Sequence, residues 1–106
     1  MAWMFLLVAG LLEIVWASMM KLSQGFTRGW PTAVTVAAML ASFAALSVSM
    51  RTLPLGTAYT VWTGIGAVGA FVVGVAVFGE PIGPMRVLAA ALIIIGLVLM
   101  KVSGPA

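Results

Sequence analysis

The sequence contains no cysteine and no histidine, and only two of its 106 residues are acidic. Without cysteine and histidine the chain can form no disulfide, no thiol or imidazole metal site and no nucleophile–base pair that uses them. We therefore expect no metal, no cofactor and no enzyme activity. Charged residues make up 7% of the chain and hydrophobic residues 64%, against about 25% and 45–50% in an ordinary soluble domain. These proportions exclude a water-soluble globular protein.

The basic residues are dispersed although the pI is near 10.3. A nucleic-acid site needs basic residues clustered on one face, so we expect no nucleic-acid partner. A membrane-spanning helix takes about 20 apolar residues, and the charges divide the sequence into segments of that order. The sequence predicts an all-α membrane protein with one transmembrane domain over residues 1–106 and spans at about 2–20, 30–50, 55–78 and 84–102.

The first segment could instead be a secretory signal peptide, with Trp16-Ala17-Ser18 as its cleavage region. However, no basic stretch precedes its apolar run, and Glu13 lies within it. We therefore expect this segment to remain as a span. The connections between spans are short, which favours antiparallel neighbouring helices.

The basic loops do not determine how the chain is oriented. With four spans, one side of the membrane carries three basic side chains and the other carries two and the terminal amine. Basic loops normally stay cytoplasmic, but these counts are too similar to favour one orientation. Either other signals fix the orientation or the chain inserts both ways. Opposed copies could then pair as an antiparallel, dual-topology homodimer. Small residues at helix-contact spacing also favour an oligomer: Gly66, Ala70 and Gly74 in the third segment, and Ala89 and Gly96 in the fourth.

Glu13 lies eight positions before Lys21, about 12 Å along a helix and therefore near the middle of the bilayer. Acidic residues there are costly and usually face a cavity or a partner. A permanently protonated carboxyl group or an ion pair are alternatives, but the basic residues lie at the span ends. Burial favours the protonated form of a carboxyl group and a bound cation favours the ionised form. Glu13 is therefore the candidate site for alternate binding of a proton and a cation. Glu80 lies at a helix end and is interpreted as a loop charge, with a gating role as the alternative.

Candidate residues for the lining of this site come from the first, second and third segments. Trp16 lies about one turn from Glu13, and Tyr59 and Trp62 are one turn apart. Trp62 is deeper in its span than the interfacial positions that tryptophan normally takes. Ser42 places a hydroxyl group inside the second span; for Ser42 and Trp16, packing is as good an explanation as a site role. Carboxylates and aromatic faces attract cations, so we expect a cation site.

The chain resembles the small multidrug resistance transporters over essentially its whole length. The resemblance rests on the predicted spans, on Glu13, and on two motifs, Lys21-x-Ser23-x-Gly25-Phe26-Thr27 and Pro54-x-Gly56-x-Ala58-Tyr59-x-x-Trp62. It implies an antiparallel homodimer in the bacterial inner membrane that exchanges protons for cations, with Glu13 as the essential membrane glutamate and Tyr59 and Trp62 as site residues. It also implies a dimer contact through Ala89 and Gly96, with Ala89 in place of the more usual glycine.

Two stretches resemble the guanidinium-exporter subtype of that family: Glu13-x-x-Trp16-Ala17 and Gly56-Thr57-Ala58-Tyr59-x-x-Trp62-Thr63-Gly64-Ile65-Gly66. Multidrug members usually have a small residue where Trp16 stands. The resemblance implies that Trp16, Ser42, Tyr59 and Trp62 surround Glu13 and help to orient it. The expected function is proton-coupled export of guanidinium and small substituted guanidinium cations by alternating access. The alternatives are an exporter of quaternary ammonium and lipophilic cations, a passive pore, and a non-transporting assembly subunit.

Overall fold

The computed structural model describes residues 1–103, and this range forms four α-helices joined by short loops. Helix α1 is Ala2–Leu22, α2 is Gly29–Ser49, α3 is Leu55–Ala76 and α4 is Pro84–Val102. Each helix is long and apolar enough to cross a membrane. The predicted all-α fold with four membrane-spanning segments is therefore confirmed, and the helix ends differ from the predicted bounds by at most two residues.

Proline and glycine residues set several helix ends. Pro84 occupies the first turn of α4, where its missing N–H group has no helical partner to lose. Pro54 precedes α3 in an extended conformation, with φ −61° and ψ 151°. After α3, Gly79 has a φ of +66°, which glycine adopts without the steric cost that a Cβ atom imposes. This turn sends the chain back toward α4.

Helix α1 lies at the centre of the fold, and the fold is thin in one direction. It packs against both α2 and α3, and among the helices of residues 1–103 α4 packs closely against α3 alone. The principal dimensions are 42 × 35 × 16 Å. The smallest dimension accommodates at most two layers of helices at the usual interaxial distance of about 8–10 Å. A layer this thin cannot enclose a ligand site with protein on every side.

Glycines allow α1 and α3 to approach closely. A Cβ atom at Gly10 would lie 2.8 Å from Cβ of Ile65, and one at Gly69 would collide with the side chain of Ile14. We call this contact the α1–α3 seam, formed by Gly10, Glu13, Ile14, Ile65, Gly66 and Gly69. Gly66, one of the small residues of α3 whose spacing favours an oligomer, thus contacts α1 of the same chain.

Helix α4 is the least covered helix of the fold. None of its residues, all of which lie in the described range, is buried. Gly64 of α3 accommodates Leu97, whose Cγ atom would lie 3.1 Å from a Cβ atom at that glycine. Ala89 is exposed and Gly96 half-buried. A helix this apolar must lie in lipid or against another protein, so the face that carries the predicted dimer contact is accessible.

The seam predicts a contrast between two glycine-to-alanine substitutions. Gly10→Ala should lower the free energy of unfolding by about 1–3 kcal/mol, as overpacking does elsewhere, because the new methyl group meets the branched Cβ of Ile65. Gly56→Ala is the control, because nothing lies within 4 Å of a Cβ atom there and alanine favours the helix. Thermal unfolding in detergent measures both; equal midpoints for the two variants would contradict the close approach.

Candidate functional site

The carboxyl group of Glu13 lies in the α1–α3 seam. It rests on the backbone of α3 at Gly66, where a Cβ atom would collide with the carboxyl carbon and with Oε1. Within residues 1–103, Oε1 is buried and has no hydrogen-bond partner. Gly66 thus provides the space that the carboxyl group needs, and leaves one of its oxygens available to a proton or to a donor from outside this chain.

Buried hydrogen bonds connect α1, α2 and α3 beside this carboxyl group. Nε1 of Trp62 donates to Oγ of Ser42 at 3.1 Å. The Ser42 hydroxyl in turn donates to the backbone carbonyl of Ala9 at 2.7 Å. The buried Ser42 hydroxyl group thus both accepts and donates, and the Trp62 N–H group is paired without water.

The Ala9 carbonyl links this network to Glu13. In an α-helix each N–H group bonds to the carbonyl four residues earlier, so Ala9 is also the backbone acceptor for Glu13. Trp62 and Ser42 therefore hold the helix backbone one turn before Glu13. The resemblance implies that these side chains help to orient the glutamate; in this chain their hydrogen bonds reach its backbone turn and not its carboxyl group.

Aromatic rings form a continuous row that starts one turn from Glu13. Trp16 and Phe43 meet edge to face with centroids 6.3 Å apart, and Phe43 and Trp62 meet in the same way at 5.8 Å. The centroid of the Tyr59 ring lies 5.6 Å from that of the Trp62 ring. We call Trp16, Phe43, Trp62 and Tyr59 the aromatic row. Their faces, in the region of a carboxyl group, are suited to an organic cation.

The sequence did not single out Phe43, although it joins the two candidate tryptophans. Its position directly after Ser42 was the available signal, but a phenylalanine in an apolar span has no polar group that marks it. The other candidates Trp16, Ser42, Tyr59 and Trp62 all lie in this region, linked by ring contacts or hydrogen bonds. Ala89 and Gly96 lie apart from it, on α4.

A second buried polar atom lies near Glu13 without a partner. Nε1 of Trp16 is buried and makes no hydrogen bond within residues 1–103. Buried polar atoms are nearly always paired, and here a donor and an acceptor, three residues apart on α1, are both unpaired. The Glu13 oxygen can accept a hydrogen bond from a cationic donor, whereas the Trp16 N–H group requires an acceptor, such as a group of another chain.

The sequence of this chain is similar to those of known proteins over nearly its whole length. The profile of the family described as the Small Multidrug Resistance protein matches residues 1–93. Proteins named guanidinium exporter from Citrobacter freundii and Salmonella typhimurium are each 54% identical over 103 residues, which is 97% of this chain and 98% of the relative. A guanidinium exporter from Escherichia coli (strain K12) is 50% identical over the same shares of both chains.

The hydrogen bond between Trp62 and Ser42 predicts energetic coupling between these residues. Trp62→Phe should cost less stability in a Ser42→Ala background than in the wild type, because the acceptor is already gone. We expect a coupling energy of about 0.6 kcal/mol and no more than about 1.7, measured by unfolding in detergent.

Ser49→Ala is the matched control, because this buried serine of α2 donates at 2.7 Å to Leu46 of its own helix. The effects of Ser49→Ala and Trp62→Phe on the free energy of unfolding should therefore be additive. Additive effects for Ser42→Ala as well would show that the Trp62–Ser42 hydrogen bond is absent in the membrane protein.

Proposed function

This chain belongs to the small multidrug resistance family, and from that premise we propose that it exports guanidinium and small substituted guanidinium cations in exchange for protons. As a member of this family the chain is a multi-pass transporter of the bacterial inner membrane and not an enzyme. The name shared by its relatives supports the substrate class. The observation that carries the proposal is the half-buried Glu13 side chain, which lies in the α1–α3 seam with a buried, unpaired Oε1 atom and with the aromatic row starting one turn away.

Competition between a proton and guanidinium for the Glu13 carboxyl group couples the proton flux to the guanidinium flux. A guanidinium ion is planar and forms two parallel hydrogen bonds to a carboxylate, which requires the carboxylate to be ionised. A proton on the same oxygens removes that charge and one acceptor. Since burial disfavours the ionised group alone, the carboxyl group holds either a proton or the cation, and release of one accompanies binding of the other.

The aromatic row favours a small planar cation over a bulky one. Trp16 places an indole ring one turn from Glu13, and its centroid lies 6.3 Å from that of the Phe43 ring. The indole ring fills space that a large lipophilic cation would need. The flat face of guanidinium can stack on such rings while its edges bond to the carboxylate. An exporter of quaternary ammonium cations would instead need a wider pocket with fewer hydrogen-bonding groups.

A second copy of the chain would complete the site. The single chain is only 16 Å thick and leaves α4 unburied, so an antiparallel homodimer would cover the cavity around two copies of Glu13. In such a dimer the inward-open and outward-open forms can be the same structure with the roles of the subunits exchanged. Alternating access then needs no large free-energy difference between the two forms.

Glu13→Gln tests the coupling. The substitution keeps the shape of the side chain but removes its titration, so a pH gradient should no longer drive guanidinium uphill into liposomes that contain the variant. Gel filtration in detergent shows whether the variant still assembles. Normal proton-coupled uptake by the variant would overturn the role of Glu13.

The same liposomes separate the alternatives. Uphill uptake by the wild-type chain excludes a passive pore, and flux from this single chain excludes an assembly subunit that needs a second protein. Faster exchange of tetraphenylphosphonium than of guanidinium would instead support a multidrug exporter.

Gly96→Ile tests the dimer contact on α4. Within residues 1–103, nothing beyond the backbone of α4 itself lies within 4 Å of a Cβ atom at Gly96, so a larger side chain should chiefly disturb a neighbouring molecule. We expect the variant to shift toward the monomer in crosslinking and to lose transport. Ala91→Ile, about 200° around the helix from Ala89, is the control that should remain dimeric. An unchanged dimer in Gly96→Ile would place the contact on another face.

A further inference from the structure

A pocket of about 190 Å³ lies at the loop end of the α1–α3 seam. It begins one helical turn beyond the site, at Ala17 on α1 and Ala70 on α3, four residues after Glu13 and Gly66. We call this pocket the vestibule. Its other lining residues are Ser18, Lys21, Val73, Gly74, Phe78 and Glu80. The vestibule thus continues the seam from the mid-membrane carboxyl group toward the aqueous side that holds the α1–α2 and α3–α4 loops.

Glu80 lines the vestibule, although its side chain remains exposed. After the left-handed turn at Gly79, the backbone N–H group of Glu80 donates to the Gly74 carbonyl at 3.0 Å. Its carboxylate lies over the bare backbone of Gly74, where a Cβ atom would collide with Oε1. The contact of Glu80 with Gly74 could not be predicted from the sequence, because it depends on the fold of the chain after Gly79.

Lys21 already places a cation in the vestibule. Its Nζ atom lies 5.9 Å from the centroid of the Phe78 ring, within the distance at which a cation and an aromatic face attract each other. Lysine is a compact charge on a flexible stem, so its ammonium group can leave this position while the ring and the Glu80 carboxylate stay in place.

We propose that the vestibule is an outer binding site for the cationic substrate, formed by the Glu80 carboxylate and the Phe78 ring and occupied in turn by the Lys21 ammonium group. A guanidinium ion would pair with Glu80, stack on Phe78 and displace Lys21, before or after it binds Glu13. This proposal rests on the proposed function for the nature of the cation. Lys21 acts as a tethered competitor, which speeds release of the substrate from the vestibule.

Guanidinium uptake into proteoliposomes tests the roles of the two charges. Glu80→Gln should raise the KM for guanidinium several-fold while the maximal rate stays within about two-fold, and Lys21→Gln should lower the KM. Arg28→Gln is the matched control, because it removes the same charge from the loop side that holds Lys21 and changes the charge balance that sets orientation by the same amount. Its KM should equal that of the wild type. An unchanged KM for Glu80→Gln, or equal effects of Lys21→Gln and Arg28→Gln, would overturn the proposal.

Direct binding separates the vestibule from the central site. In the Glu13→Gln chain, guanidinium should still cause saturable chemical-shift changes at the Gly74 and Phe78 amide groups, and the added Glu80→Gln substitution should abolish them. An absence of shifts at these amides in the Glu13→Gln chain would contradict an outer site even if the Glu80 variants do not fold.

The two proposals fail in different ways. If Glu13→Gln transports normally, the coupling role of Glu13 fails, whereas shifts at Gly74 would still support the vestibule. If the wild type exchanges protons for guanidinium but Gly74 and Phe78 show no shifts, only the vestibule fails.

Discussion

A carboxyl group in the hydrocarbon core of a bilayer must be neutral or must face something other than lipid, because an unpaired charge there costs several kcal/mol. In this chain, the carboxyl group of Glu13 faces protein and not only lipid, but one of its oxygens has no hydrogen-bond partner within residues 1–103. Its carboxyl group lies against the bare backbone of Gly66, with Oε1 buried and unpaired within residues 1–103. The protein layer is 16 Å thick, so it cannot surround the group. The need to neutralise this carboxyl group is thus met by an exchangeable proton, by a cation, or by a second chain.

The surrounding helices hold this carboxyl group while leaving it accessible. Glycines in the α1–α3 seam bring the two backbones together, and the Trp62–Ser42–Ala9 hydrogen bonds fix α1 one turn before Glu13. These contacts involve small or fully paired groups, so they add rigidity without placing a competing charge near the carboxylate. On α1 the aromatic row starts at Trp16 and the vestibule at Ala17, both about one turn after Glu13. A cation can therefore approach through groups that attract it, toward a carboxylate whose position does not depend on it.

The sequence was sufficient to predict the helices, because uncharged runs of span length and the positions of charges and prolines determine them. It also made Glu13 the leading site candidate, since an acidic residue in a span is rare, and this role stays a prediction. The hydrogen bond from Ser42 to Ala9 could not be predicted, because it joins residues 33 positions apart and depends on how α1 and α2 rotate about their axes. The role of Phe43 could not be predicted either, because only its contacts with Trp16 and Trp62 distinguish it from other apolar residues. Nor could the position of Glu80, because the turn at Gly79 places it beside Gly74.

Proton release on substrate binding tests most directly whether one carboxyl group serves both ions. When guanidinium is added to the purified protein in weakly buffered detergent solution, we expect the wild type to bind it and release protons into the solution. The Glu13→Gln chain should release none. Saturable guanidinium binding by the wild type without proton release, at every pH at which the protein remains folded, would contradict competition between proton and cation at Glu13.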